Sequence, residues 1–367
     1  MFGHYRQFEG MSQEEVSAQL RDAAAKRRRQ ALTRVEPIDL SATTWPEYPP
    51  PAVVNAITYA ARRGLHRYLD RRGNELRSEL AHALGVDEER LVVGDGAAQL
   101  LGAAAQALLE PGDELLTPWP SYGLYPVLAQ RARGRAIPVP GFSAASLLRA
   151  VGERTRLIAL CNPNDPTGDL MAVAELRELL GALPDRVVVL LDEALRDFAD
   201  AEERDAALAL TAQFPRLIVF RTFSKAWGLA GLRVGYAIGG DGAEPVLARL
   251  EPELGLNELG QAGALEALRH ARGVVAERIR TVAAERARLW GELAALGVDA
   301  SASQANFMWL AAPGIDGAEL ARRLERHAVI VAPGGPLGDP ARVRAAIHRA
   351  EASDRLLRAL RAELRGG

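Results

Sequence analysis

Of the 45 lysine and arginine side chains in the 367-residue sequence, only Lys26 and Lys225 are lysines, and the other 43 are arginines. An arginine stays protonated, whereas a lysine ε-amine can lose its proton, attack a carbonyl carbon and form a Schiff base. Lys225 lies in FRTFSKAWGLAGLRVGY, directly after the apolar run RLIVFRT. Its surroundings suit an anion. Thr222 and Ser224 offer hydroxyls, and Arg233 follows eight residues after the lysine. Hydroxyls beside a fixed guanidinium fit a phosphate. A second phosphate element is VVGDGAAQLL, which reads as a strand, a glycine turn and a helix. Backbone N–H groups at such a helix start bind phosphate well. VVVLLDEAL puts Asp192 at the end of a buried strand, where an isolated carboxylate is costly and where ligands of parallel sheets bind. A cationic nitrogen would balance it; a helix N-cap is the other role open to it. Tyr122, in TPWPSYGLY, could stack on a planar ring or pack in the core.

These residues need elements to position them. RLVVG, DELLTP, RAIPVP, RLIAL, RVVVLLD and RLIVFRT are short, nearly continuous apolar runs, separated by helix-like stretches such as AAQLLGAAAQALL and VAELRELLGAL. Apolar runs without alternation mean burial on both faces, hence a mostly parallel sheet between helices. From Gly263 to Leu296 the pattern is one long helical region, followed by the strand NFMWL and a last helix near Ser353–Leu364. The expected organisation is an N-terminal segment (1–37), a large domain (38–262) and a smaller α+β domain (263–367). Ser12–Gln30 reads as a helix whose Lys26-Arg27-Arg28-Arg29 run forms a solvated face, and the Pro-rich WPEYPPP as an extended lead into the next helix.

Composition narrows the function. With 48% hydrophobic and 25% charged residues the chain has the make-up of a globular protein, and a net charge of -2 gives no electrostatic case for nucleic acid or an anionic membrane. No stretch of about 18 apolar residues is present, as a membrane span would require. Met1–Gly10 lacks the apolar core of a signal peptide, and the lone Cys161 excludes internal disulfides and Cys-based zinc sites. The expected compartment is the cytoplasm, and no metal is expected.

A lysine for an aldehyde, hydroxyls and an arginine for a phosphate and a carboxylate for a ring nitrogen together describe a pyridoxal 5'-phosphate (PLP) site. At this point the chain resembles the fold type I PLP enzymes of the class I/II aminotransferase group, and within it the histidinol-phosphate aminotransferase branch. NPNDPTG (162–168), LDEAL, the SK pair with Arg233 and QANF (304–307) stand in that group's order and spacing, over about Ile38 to Leu360. The resemblance implies an aspartate-aminotransferase-like α/β fold in which Lys225 carries PLP as an internal aldimine and moves the proton between Cα and C4′. It implies that Asp192 pairs with the pyridine nitrogen, that Gly96, Ala97, Thr222, Ser224 and Arg233 hold the phosphate, and that Tyr122 lies on the ring. Tyr68, in HRYLDRRG, matches a tyrosine that reaches the cofactor of the neighbouring subunit, which implies a homodimer with shared active sites. In VRAAIHRAEAS, Arg344 is the candidate grip for the substrate carboxylate. Arg342 is the neighbouring possibility, expected to point the opposite way.

The sequence also departs from the group. Asp165 stands where an asparagine usually donates to the cofactor's phenolic oxygen, and Leu195 where a tyrosine donates to the same atom. With both donors replaced, the aldimine is expected to stay protonated to unusually high pH, unless Asp165 is itself protonated or another group fills the gap. Ala332 replaces an arginine common in histidinol-phosphate enzymes, LSATTWP lacks the usual early asparagine, and His348 replaces a glycine. The leading expectation is transamination between an L-amino acid, or a histidinol-phosphate-like amine, and a 2-oxo acid. Decarboxylation, β- or γ-elimination or replacement, and oxidation are the alternatives on the same scaffold. A non-catalytic amino-acid sensor would not need Lys225 and Asp192 together. A dinucleotide-binding dehydrogenase would need GxGxxG spacing, which VVGDGAAQLL lacks.

Overall fold

The computed structural model describes residues 36–66, 68 and 70–365. The helix and basic run expected within Ser12–Gln30 therefore lie outside the described residues. All six anticipated apolar runs are strands: β1 (Leu91–Gly94), β2 (Glu114–Trp119), β3 (Arg135–Pro140), β4 (Thr155–Cys161), β5 (Val188–Asp192) and β6 (Leu217–Thr222). A seventh, β7 (Gly235–Ile238), completes a sheet of spatial order β1-β7-β6-β5-β4-β2-β3. Strands β2 to β6 pair in parallel; β6 is buried along its whole length, and β4 and β5 everywhere but at Arg156 and Val188. Fully burying one such Leu or Ile side chain contributes about 1.5–3 kcal/mol. β3 carries Pro138 and Pro140 and pairs with β2 alone, since a strand that lacks those N–H donors fits only at an edge.

β7 runs antiparallel to both β6 and β1. A parallel crossover takes a dozen or more residues and usually a whole helix. The stretch from Phe223 to Val234 holds only the single turn Ala230–Leu232, so the chain doubles straight back. That return places Lys225 and Arg233 on one short loop beside the strand ends. Gly235 lets it close: a Cβ there would lie 2.3 Å from the Ala97 nitrogen.

The C-terminal part carries β8 (Asp299–Ala300), β9 (Phe307–Ala311), β10 (Ala332–Pro333) and β11 (Val343–Ala346), antiparallel in the order β10-β11-β9-β8. The helical region expected as one piece is two helices, Glu258–His270 and Arg272–Ala295, parting at Ala271. Ala271 itself has non-helical φ and ψ of -107° and 6°. The first begins at Asn257, whose side chain accepts the Gly260 N–H. This helix runs through residues 262 and 263 and packs on helices Pro51–Gly64 and Asn74–Leu84, so one helix spans the boundary expected there. The last helix, Ala350–Arg365, starts earlier than the sequence pattern suggested.

Candidate active site

The carboxyl ends of β4, β5 and β6 bring Cys161, Asp192 and Thr222 to one cleft of about 700 Å³, part of it continuous with solvent. Lys225 enters from the β6–β7 return, and its Nζ donates to Thr43 Oγ1 at 2.5 Å. Burial pulls the Lys225 ammonium below its ordinary value, and Arg344 adds to the effect; Asp165 and Asp192 oppose it. The result is an amine with more of its neutral, nucleophilic form than a surface lysine has.

Asp192 is 3% exposed. Tyr125 Oη donates to its Oδ2 and the Ala194 N–H to its Oδ1, each at 3.0 Å. It does not cap the turn Arg196–Phe198, so the N-cap alternative fails. Burial raises its carboxyl to about 6, against the pull of these two donors and of Lys225. Among the described residues no cation hydrogen-bonds to it, which leaves a buried carboxylate matched to a cationic ring nitrogen. Tyr125 is a site residue that sequence reasoning missed. Its signal was present: it lies three residues after Tyr122, on the same side of a helical turn.

Opposite, Gly96 (φ 82°) precedes helix Ala97–Leu108, and a Cβ on Gly96 would come within 2.6 Å of Arg233 Nη2. The guanidinium thus sits over the bare backbone of the turn. Arg233 holds a left-handed conformation (φ 55°), an uncommon state for a non-glycine residue. Its Nη1 reaches Ser224 Oγ at 3.4 Å, and Ser224 Oγ receives the Thr222 hydroxyl at 3.0 Å. Backbone amides, two hydroxyls and a guanidinium therefore converge on one small volume, a donor set that fits a phosphate.

The NPNDPTG stretch forms the third wall. Asn162 holds Met171 through both its amide groups, and Asn164 bonds Ser121, Thr167 and the Pro120 carbonyl. These staples fix the backbone around Asp165, whose Oδ1 accepts from Arg344 Nη1 at 2.5 Å. Asp165 is therefore already engaged by the Arg344 side chain. Arg344 Nη2 donates to the Ser41 carbonyl at 3.0 Å, and its guanidinium lies 5.6 Å from the Phe307 ring centre. Arg342 turns away to Asp299 and Asp339. Alternation does not explain this, because residues two apart share a strand face. β11 begins at Val343, so Arg342 lies before the strand and escapes its direction.

The remaining candidates divide. Tyr122 lines the cleft and meets Tyr125 edge-on at 5.5 Å, and Leu195 is buried in the cleft wall. Ala332 is the strand partner of Arg344, so no second cation stands beside that guanidinium on β10. His348 is buried edge-on to Trp45, and burial lowers its imidazole below the ordinary value. Tyr68 is 96% exposed and does not line this chain's cleft.

An activated lysine, a buried carboxylate in want of a cation and a phosphate cradle are the parts of a PLP enzyme's active site. The chain belongs to the aminotransferase class I and II family, which matches residues 35–360. It is 39% identical to an aromatic amino acid aminotransferase of Corynebacterium efficiens, over 85% of this chain and 89% of that protein. It is 34% identical to histidinol-phosphate aminotransferase 1 of Nitrosococcus oceani, over 88% of each. Among solved structures, histidinol-phosphate aminotransferase from Sinorhizobium meliloti in complex with PLP superposes with a TM-score of 0.80 at 27% identity, over 90% of this chain and 92% of that one. The fold is that of the PLP aminotransferases, and the protein is a PLP-dependent amino-group transferase. No helix among the described residues is long and apolar enough to cross a membrane.

Proposed function

We propose that the protein moves an amino group between an L-amino acid with an aromatic side chain and a 2-oxo acid, with Lys225 as the residue that bonds the cofactor and transfers the proton at the substrate's Cα. The observation that carries this is the half-buried Lys225, which lines one cleft with Asp192, Thr222, Ser224 and Arg233 at the carboxyl end of the sheet. When bound, PLP supplies an aldehyde carbon and an electron-withdrawing ring that acidify that Cα proton. Asp192 would hold the ring nitrogen, and Gly96, Ala97, Thr222, Ser224 and Arg233 the phosphate. Tyr122 would cover the ring. Arg344 binds the substrate carboxylate as a planar fork. The aromatic preference is supported by the name of the Corynebacterium relative and by Ala332, which offers no second cation for a phosphorylated substrate. In the test, the loaded enzyme is reduced with borohydride and peptide-mapped. The cofactor mass should appear on Lys225 and be absent from a folded Lys225→Arg variant; a label elsewhere would overturn the assignment. A panel of amino donors then ranks side chains, and preference for histidinol phosphate would sink the aromatic reading.

The working form we propose is a homodimer in the cytoplasm. Large exposed apolar side chains gather between residues 48 and 68 (Tyr48, Tyr59, Leu65 and Tyr68), the composition of a surface that meets a partner. The buried free thiol of Cys161 suits a reducing compartment. Sedimentation should give twice the monomer mass, and Tyr68→Phe should weaken PLP binding severalfold; a monomer with full PLP affinity would refute the shared site.

A further inference from the structure

We propose that Asp165 is an internal competitor of the substrate carboxylate for Arg344, so that every amino or oxo acid must displace it to be held. This rests on the reading of Arg344 as the carboxylate site. A guanidinium binds a carboxylate well when two neighbouring N–H groups face it together. Arg344 has little left to offer. Nη1 is taken by Asp165, Nη2 serves the Ser41 carbonyl, and Nε is buried without a partner. Asp165, which lines the cleft, holds Nη1 on that side.

Three further features make the competition strong. The Asp165 backbone is fixed by the Asn162 and Asn164 side-chain bonds on either side, so its carboxylate is always at hand. Both partners are largely buried, with side-chain exposures of 13% for Arg344 and 12% for Asp165, so water does little to weaken the pair. Neither strand partner of Arg344 is a cation: they are Ala332 and Trp309. The charged and titratable groups facing Asp165 are Arg344, Lys225, Asp192, Tyr122 and Cys161. An arriving carboxylate therefore meets a guanidinium already neutralised, with Asp192 as a further negative charge. An asparagine at 165 would keep the size and remove the competing charge.

The test measures binding of 3-phenylpropionate, which has no amine to react, and of its neutral amide, by calorimetry on the PLP-loaded enzyme. Asp165→Asn should bind the carboxylate about ten- to a hundredfold more tightly, the worth of one charge-assisted hydrogen bond. The amide's affinity should not change. The Asp165→Asn, Arg344→Gln double variant should lose the gain. Equal or weaker carboxylate binding by Asp165→Asn, a gain that survives without Arg344, or no detectable carboxylate binding by any form would overturn the proposal. If Arg344→Gln alone leaves carboxylate affinity unchanged, the carboxylate-site reading itself fails. Asp165→Ser, judged by the same criteria, serves should the asparagine variant not load PLP.

Discussion

Two arginine–carboxylate pairs flank the sheet, and they are built differently. Behind the cleft, Arg221 on β6 spends all its nitrogens: Nε and Nη2 meet Glu193 at 2.8 and 2.7 Å, and Nη1 meets Asp205 at 2.5 Å. Burial opposes the Arg221 charge, yet Glu193, Tyr236 and Asp205 together lift it above the ordinary arginine value. In the cleft, Arg344 makes one bond to Asp165 and one to a carbonyl, and its Nε has no partner. The first guanidinium is fully used: Glu193 takes two of its nitrogens on Oε2, with Oε1 left without a hydrogen-bond partner, and Arg221 has nothing left to give a ligand. The second pair is partly made, and its carboxylate lines the cleft. Completeness of pairing separates an arginine that supports the fold from one placed to exchange partners.

Breaking the closed pair should have the largest effect. Glu193→Gln leaves Arg221 buried without its main counter-charge and should cost about 3–5 kcal/mol of stability, read by denaturant unfolding. A loss under about 1 kcal/mol would erase the distinction between the pairs. Next comes the carboxylate that has no arginine at all. Raised from 3.8 to about 6 in the folded chain, the Asp192 carboxyl binds its proton more tightly folded than unfolded. Its contribution is therefore complete below about pH 4 and is lost as pH rises through about 6, to the extent of about 3 kcal/mol. PLP-free Asp192→Asn should accordingly be more stable than the PLP-free parent at pH 7, and the order should reverse once PLP is bound. Melting curves with and without cofactor, at pH 4 and pH 7, check both signs. The smallest effect belongs to the open pair. Asp165→Asn should change stability by only about 1 kcal/mol, because the asparagine oxygen can still accept from Arg344 Nη1 while Nη2 keeps the Ser41 carbonyl.

Much of this was legible in the chain because it is local. A lysine in an arginine-rich sequence, hydroxyls one and three residues before it and a glycine turn before a helix are each read within a short window, and the structure brings Thr222, Ser224, Lys225 and Arg233 together as that spacing suggests. The six apolar runs became strands since continuous Val, Leu and Ile cannot face water on either side. What escaped were contacts between distant segments. The departures at Asp165 and Leu195 were visible as residue types, but the partner that gives Asp165 its meaning lies 179 residues further on.

By itself, then, the sequence determined which groups are on offer and the kind of sheet: a deprotonable amine, a glycine turn ahead of a helix, a carboxylate at a strand end, and the succession of buried strands along the chain. Periodicity and hydrogen-bonding capacity act over a few residues and are carried by residue type. Only the tertiary structure decided that β7 runs backwards, that Thr43 meets Lys225 across 182 residues, that Tyr125 rather than a cation bonds Asp192, and that Arg344 is already partnered. Those outcomes depend on which side chains the folded chain packs within about 3 Å of one another, and that proximity is a property of the whole fold.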